Sequence, residues 1–127
     1  AVPELFETYL RAYPEVNLIL GHTGGRHEGH LAAARLAQAY PNVYGDLSGD
    51  SYAFGLVEWL VAEMGAERLL YGSDITMIDA RTQIGRILDA EIGDEAKARI
   101  MGGNAMRLFK LEAPRGTRRT CAASRQG

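Results

Sequence analysis

A chain of 127 residues with 46% hydrophobic content holds material for one modest core and one domain. Its formal charge of −2 hides an acidic body and a basic end, because residues 112–127 carry four arginines against one glutamate. That body argues against nucleic acid as a partner, which needs clustered Lys and Arg on a folded face, and no apolar run approaches the roughly 18 residues of a membrane helix.

Taken in chain order, Pro3 opens a first helical turn, and Leu5, Phe6, Tyr9, Leu10 and Tyr13 follow at helix spacing until Pro14 ends the pattern. Val16 to Leu20 is short, continuous and bounded by glycine, which predicts a strand buried on both faces. The loop Gly21-His22-Thr23-Gly24-Gly25-Arg26 follows. From about residue 30 to residue 40 the Ala/Leu-rich text predicts a helix, with His30 beginning or capping it, and Pro41-Asn42 stops it before a second strand over Val43 to Leu47. Ser48-Gly49-Asp50-Ser51 reads as loop and cap chemistry. Leu56, Val57, Leu60, Val61 and Met64 form the stripe of the next helix, Gly65 ends it, and Arg68 to Tyr71 is a third strand leading into Gly72-Ser73-Asp74. Asp79 is placed to cap a helix carrying Ile84, Ile87 and Leu88; Asp94 is placed to cap another that ends near Gly102-Gly103, and Asn104 starts a last short turn. Residues 112–127 read as a basic, disordered extension. The single Cys121 lies there, so no internal disulfide or thiolate metal cluster is available, which fits a reducing, cytoplasmic setting.

The three strands recur with one helix between each pair, the rhythm of βα units joined by right-handed crossovers, so the sheet is expected to be parallel. An open doubly wound sheet and a (β/α)8 barrel share this rhythm, and both place the ligand site at the carboxyl ends of the strands. Those ends here are Gly21-His22-Thr23, Asp46-Leu47-Ser48 and Gly72-Ser73-Asp74. An imidazole and a carboxylate on one rim suit a divalent metal or metal-free acid/base work. His22 and Asp74 are therefore the candidate site residues, against the plainer readings of a turn histidine and a loop cap. Asp46 is a candidate for orienting a ligand from behind. His27 and His30 together with His22 raise a local three-histidine cluster, which requires all three rings to converge. Gly21, Gly24 and Gly25 with Arg26 raise a phosphate cradle, but the text matches neither G-x-G-x-x-G nor G-x-x-x-x-G-K-[ST]. No G-x-S-x-G elbow is present.

Read together, LILGHTGG, YPNVYGDLSG, ERLLYGSDI and IMGGNAMRLF resemble the C-terminal part of the amidohydrolase-related metal-dependent hydrolases and decarboxylases, over about Pro3 to Leu111. The resemblance implies an α/β fold in which these strands are the sixth to eighth of a (β/α)8 TIM barrel, with residues 1–111 as a partial barrel. It implies that His22 is the sixth-strand histidine, which polarises or protonates the substrate or ligates a second metal. It likewise implies that Asp74 is the eighth-strand aspartate, a metal ligand that also takes a proton from water. The expected cofactor is a divalent metal, zinc first and manganese second. The expected substrate is small and carboxylated, handled by hydrolysis or non-oxidative decarboxylation, with no nucleic-acid or membrane partner and a homo-oligomer as the full-length form.

The sequence also departs from that pattern. It has neither the His-x-His pair of a first strand nor any histidine before His22, and Thr76 stands where a proline often follows the Gly-Ser-Asp motif. Most of the metal shell is thus expected to lie outside this chain, which alone should be inactive. The competing readings are a small doubly wound module that holds an anion or nucleotide at its Gly-rich loop, and an inactive scaffold.

Overall fold

A computed structural model describes residues 3–112. The basic end from residue 113 onward, with Cys121, lies outside the described residues, and so does its expected disorder. Pro3–Phe6 form a 3₁₀ turn that runs into α1, Glu7–Ala12. Three strands follow at intervals: β1 (Leu18–Leu20), β2 (Val43–Asp46) and β3 (Leu69–Leu70). They make a parallel sheet in the order β1-β2-β3, as the βα rhythm requires. The helices are α2 (His27–Ala39), α3 (Leu56–Met64), α4 (Ala80–Leu88), α5 (Asp94–Ala98) and α6 (Asn104–Leu108). No helix among the described residues is long and apolar enough to cross a membrane.

The register pairs Leu18 with Val43, Leu20 with Gly45, and Gly45 with Leu69. Strand alternation therefore puts Leu20, Val43 and Leu69 on one face, and Ile19, Tyr44 and Asp46 on the other. The first face carries the core, joined by Ala33, Leu36 and Ala37 of α2, Val57 and Leu60 of α3, Ile87 of α4, and Ile100. Small alanines on α2 let that helix approach the sheet closely. Leu60, Leu69 and Ile87 are fully buried, so truncating any of them to alanine costs about 2–5 kcal/mol.

Several boundaries differ from the sequence expectation. Pairing in β1 begins at Leu18, because Asn42 takes over the preceding turn: its Nδ2 donates to the Val16 carbonyl at 2.6 Å, and its own carbonyl receives the Leu18 N–H at 2.8 Å. Helix α2 starts at His27, so His30 is neither its first residue nor its cap but lies a turn inside, buried. Asp79 does cap α4, accepting the Arg81 N–H at 2.9 Å. Asp94 does not cap α5; it is the first helical residue, and Gly93 precedes it without a side-chain bond. The glycines at 102 and 103 do not stop the chain either. They sit inside a π-helical turn, Arg99–Gly103, that leads directly into α6. The Tyr71 N–H spends itself on the Ile100 carbonyl of that turn at 2.8 Å, tying the end of β3 to it. Asn104 completes the tie, its Nδ2 donating to the Ala66 and Leu69 carbonyls at 2.6 and 2.7 Å.

Candidate functional site

The polar residues of interest stand where the three strands end. After β1 the chain makes a tight turn over Gly21–Gly24 in which His22 (φ 55, ψ 25) and Thr23 (φ 47, ψ 49) both take left-handed backbone. Such a conformation is uncommon for histidine and costly for a β-branched residue, of order 1–3 kcal/mol each. It persists because Asp46 at the end of β2 holds both. The His22 N–H donates to Asp46 Oδ1 at 2.9 Å, and Thr23 Oγ1 donates to the Asp46 carbonyl at 2.6 Å. Gly45 makes room for this, since a Cβ there would lie 2.8 Å from the Thr23 side chain.

The His22 ring is held from the same strand end. Its Nδ1 lies 2.6 Å from Ser48 Oγ. Ser48 in turn donates its hydroxyl to Asp46 Oδ1 in a close contact, and its backbone N–H to the same oxygen at 2.9 Å. On the other side of the ring, Nε2 is 3.9 Å from Asp74 Oδ2. Asp74 is left-handed as well, at φ 52, and its carbonyl receives the N–H groups of Met77 and Ile78 at 2.9 and 3.0 Å. Past it, the Ile75–Thr76 peptide is cis. The His22 side chain is 47% exposed and that of Asp74 26%, so the pair opens to solvent. Gly49, at φ +86, leaves the ring its space, because a Cβ there would fall 2.8 Å from His22 Cγ. The loop carrying Gly49 is fastened by α4, whose Gln83 donates to the Gly49 carbonyl at 2.6 Å and Arg86 to the Ser51 carbonyl at 2.8 Å.

The structure thus brings His22, Asp46 and Asp74 together and adds Ser48, which the sequence placed at the polar end of the second strand and read as loop chemistry. The one signal for it was the Asp-x-Ser spacing at a strand end. The other candidates go elsewhere. His30 is buried with Nδ1 2.9 Å from the Thr23 carbonyl, and burial pushes its pKa below the usual histidine value, the carbonyl contact opposing. The three histidines do not converge: among the described residues no group of three or more His, Cys, Asp or Glu side chains is arranged to hold a metal. Arg26 pairs with Asp50 at 3.0 Å on the exposed surface.

Comparison with known proteins bears on this arrangement. The family model described as Amidohydrolase matches residues 1–111. Among characterised proteins the chain is similar to L-fucono-1,5-lactonase of Burkholderia ambifaria, at 28% identity over 85% of this chain and 46% of that protein. Among solved structures it is similar to an uncharacterised TIM-barrel protein of Bordetella bronchiseptica, with a TM-score of 0.70 and 24% identity over 86% of this chain and 39% of that one. It is also similar to a dihydroxybenzoic acid decarboxylase of Polaromonas sp. JS666, solved with manganese and the inhibitor 2-nitroresorcinol, with a TM-score of 0.64 and 22% identity over 82% of this chain and 37% of that one. The structural likenesses are likenesses of fold. The chain spans less than half the length of each of these three proteins.

Proposed function

The chain belongs to the amidohydrolase family, and from that premise we propose that it supplies the sixth to eighth strands of a (β/α)8 barrel and, at their carboxyl ends, His22 and Asp74 of a metal-dependent site. The observation that carries this reading is the approach of His22 Nε2 to Asp74 Oδ2 at 3.9 Å, between the ends of β1 and β3. The chemistry proposed is hydrolysis or non-oxidative decarboxylation of a small organic substrate. Lactone hydrolysis stands ahead of decarboxylation, because the lactonase is the match in sequence, whereas the decarboxylase is alike in fold.

The donors present fit a divalent metal in kind, an imidazole nitrogen and a carboxylate, and fall short of it in number, since a catalytic zinc takes three protein ligands. Asp74, with His22 beside it, would be this chain's share of the shell, and an ion bound there supplies Lewis acidity to a substrate carbonyl.

The remaining steps belong to the chain's own residues. As water adds to the lactone carbonyl carbon, the Asp74 carboxylate takes one of its protons. That proton passes through one bridging water to the Nε2 lone pair of His22, and as the ring C–O bond breaks Nε2 gives it to the departing oxygen. Asp74 is then again a carboxylate and the His22 ring again neutral, and the 3.9 Å between Nε2 and Oδ2 is the span that one water bridges. Partly exposed, the pair has access to substrate, while the fastened backbone at positions 22 and 74 holds the two groups in place before substrate arrives.

The test is turnover by the complete barrel carrying this chain, supplied with zinc or manganese, on a sugar-acid 1,5-lactone and on a dihydroxybenzoate. Lactone opening that collapses in Asp74→Asn supports the reading. Turnover indifferent to both His22 and Asp74, or none on either substrate class, rejects it.

A further inference from the structure

We propose that Ser48 and Asp46 are positioning residues that fix the neutral His22 ring with its proton on Nδ1, leaving the Nε2 lone pair as the working atom. The assignment follows from counting protons along a short chain of contacts. Asp46 Oδ1 receives the N–H groups of His22 and Ser48, each at 2.9 Å, so it faces its neighbours as an acceptor. Ser48 has one hydroxyl proton, and its Oγ sits in close contact with that same Oδ1. The proton must lie between those two oxygens, for otherwise two lone pairs would be pressed together. Ser48 Oγ then meets His22 Nδ1, at 2.6 Å, with only a lone pair to offer, and the hydrogen in that contact must come from the ring.

Nothing else nearby can perform this function. Asp46 Oδ1 is 4.0 Å from Nδ1, beyond hydrogen-bond reach, so the hydroxyl is the necessary bridge. Ser48 itself is held by its backbone N–H and hydroxyl on Asp46 Oδ1, and Gly72 packs beside it, where a Cβ would lie 2.8 Å from Ser48 Cβ. Gly49 borders the ring, where a Cβ would fall 2.8 Å from His22 Cγ. A histidine whose second nitrogen is anchored in this way has its tautomer set before any ligand arrives. The consequence for catalysis rests on the reading of His22 given above: Nε2 takes and returns the proton while the Nδ1 proton stays on the ring, donated to Ser48 Oγ.

The tautomer is directly visible in ¹⁵N spectra of the imidazole, recorded on the 127-residue chain without metal or substrate and above the histidine titration range. In the wild type Nδ1 is expected to show the protonated, pyrrole-type shift and Nε2 the unprotonated, pyridine-type shift. Ser48→Ala is expected to lose that preference. A wild-type ring with its proton on Nε2 overturns the proposal even if Ser48→Ala fails to fold, and a folded Ser48→Ala with an unchanged ring overturns it too. Because no turnover enters this measurement, failure of the lactonase reading would leave the spectrum as predicted, whereas failure of the relay would alter the spectrum itself.

Discussion

His22 and Asp74 bring Nε2 and Oδ2 within 3.9 Å while each occupies left-handed backbone, at φ 55 and φ 52. Asparagine is among the few residues that enter this region readily. His22→Asn and Asp74→Asn are therefore expected to keep the fold, with unfolding free energies within about 0.5 kcal/mol of wild type, while turnover in the complete barrel falls by about 100-fold or more. A β-branched replacement such as Asp74→Val should lose about 1–3 kcal/mol in addition. Urea unfolding beside steady-state kinetics separates the two effects, and equal stability for Asn and Val at position 74 would show that the backbone carries no strain there.

Gly49→Ala tests the packing around the ring. Its Cβ would have to push His22 aside or bend a loop held by Gln83 and Arg86, and φ +86 is itself unfavourable for alanine. The expected result is a loss of about 1 kcal/mol in stability together with a larger fall in kcat than in substrate affinity. Unchanged kcat would mean that the ring has freedom the structure does not show.

Strands and parallel order were legible because apolar runs ending in glycine, separated by amphipathic helices, leave few other arrangements. His22 and Asp74 were legible as residues at strand ends, since that is where a parallel sheet gathers its loops. Ser48 was not. Its importance depends on the Leu20–Gly45 register, which carries β2's end alongside the His22 turn, and a register is a long-range property that no local pattern encodes. The same holds for Gly102-Gly103, which reads as a helix stop yet lies within a π turn because Tyr71 and Asn104 bind that segment to β3. His30 looked like a helix start because the text before it is rich in glycine; helix α2 reaches back to His27.

Asn104 gives a test of how the last helix is attached. Its amide satisfies two carbonyls at the start of β3 while 2% exposed. Asn104→Ala leaves both without that donor and should cost about 2–4 kcal/mol, measured by urea or thermal unfolding. A cost under about 0.5 kcal/mol, the size of an ordinary surface change, would show that the tie is dispensable.

Burial of His30 predicts a pH dependence. Its folded pKa lies below the usual value, which is about 6.5, so on acidification the unfolded chain takes up the proton first. The stability that its neutral form contributes is present above about pH 6.5 and is lost as pH falls through and below that value. His30→Gln should flatten this part of the profile relative to wild type, as judged by unfolding midpoints between about pH 7.5 and 5. Identical slopes in the two proteins would contradict the burial effect.

The central claim is that His22 and Asp74 act together as one metal-facing site, and paramagnetic manganese tests it most directly. Titrated into the isotope-labelled complete barrel carrying this chain, Mn²⁺ should broaden the His22 ring and Asp74 signals first, and Asp74→Asn should abolish that selectivity. Broadening centred elsewhere on the acidic surface, or selectivity for His22 retained in Asp74→Asn, would contradict it.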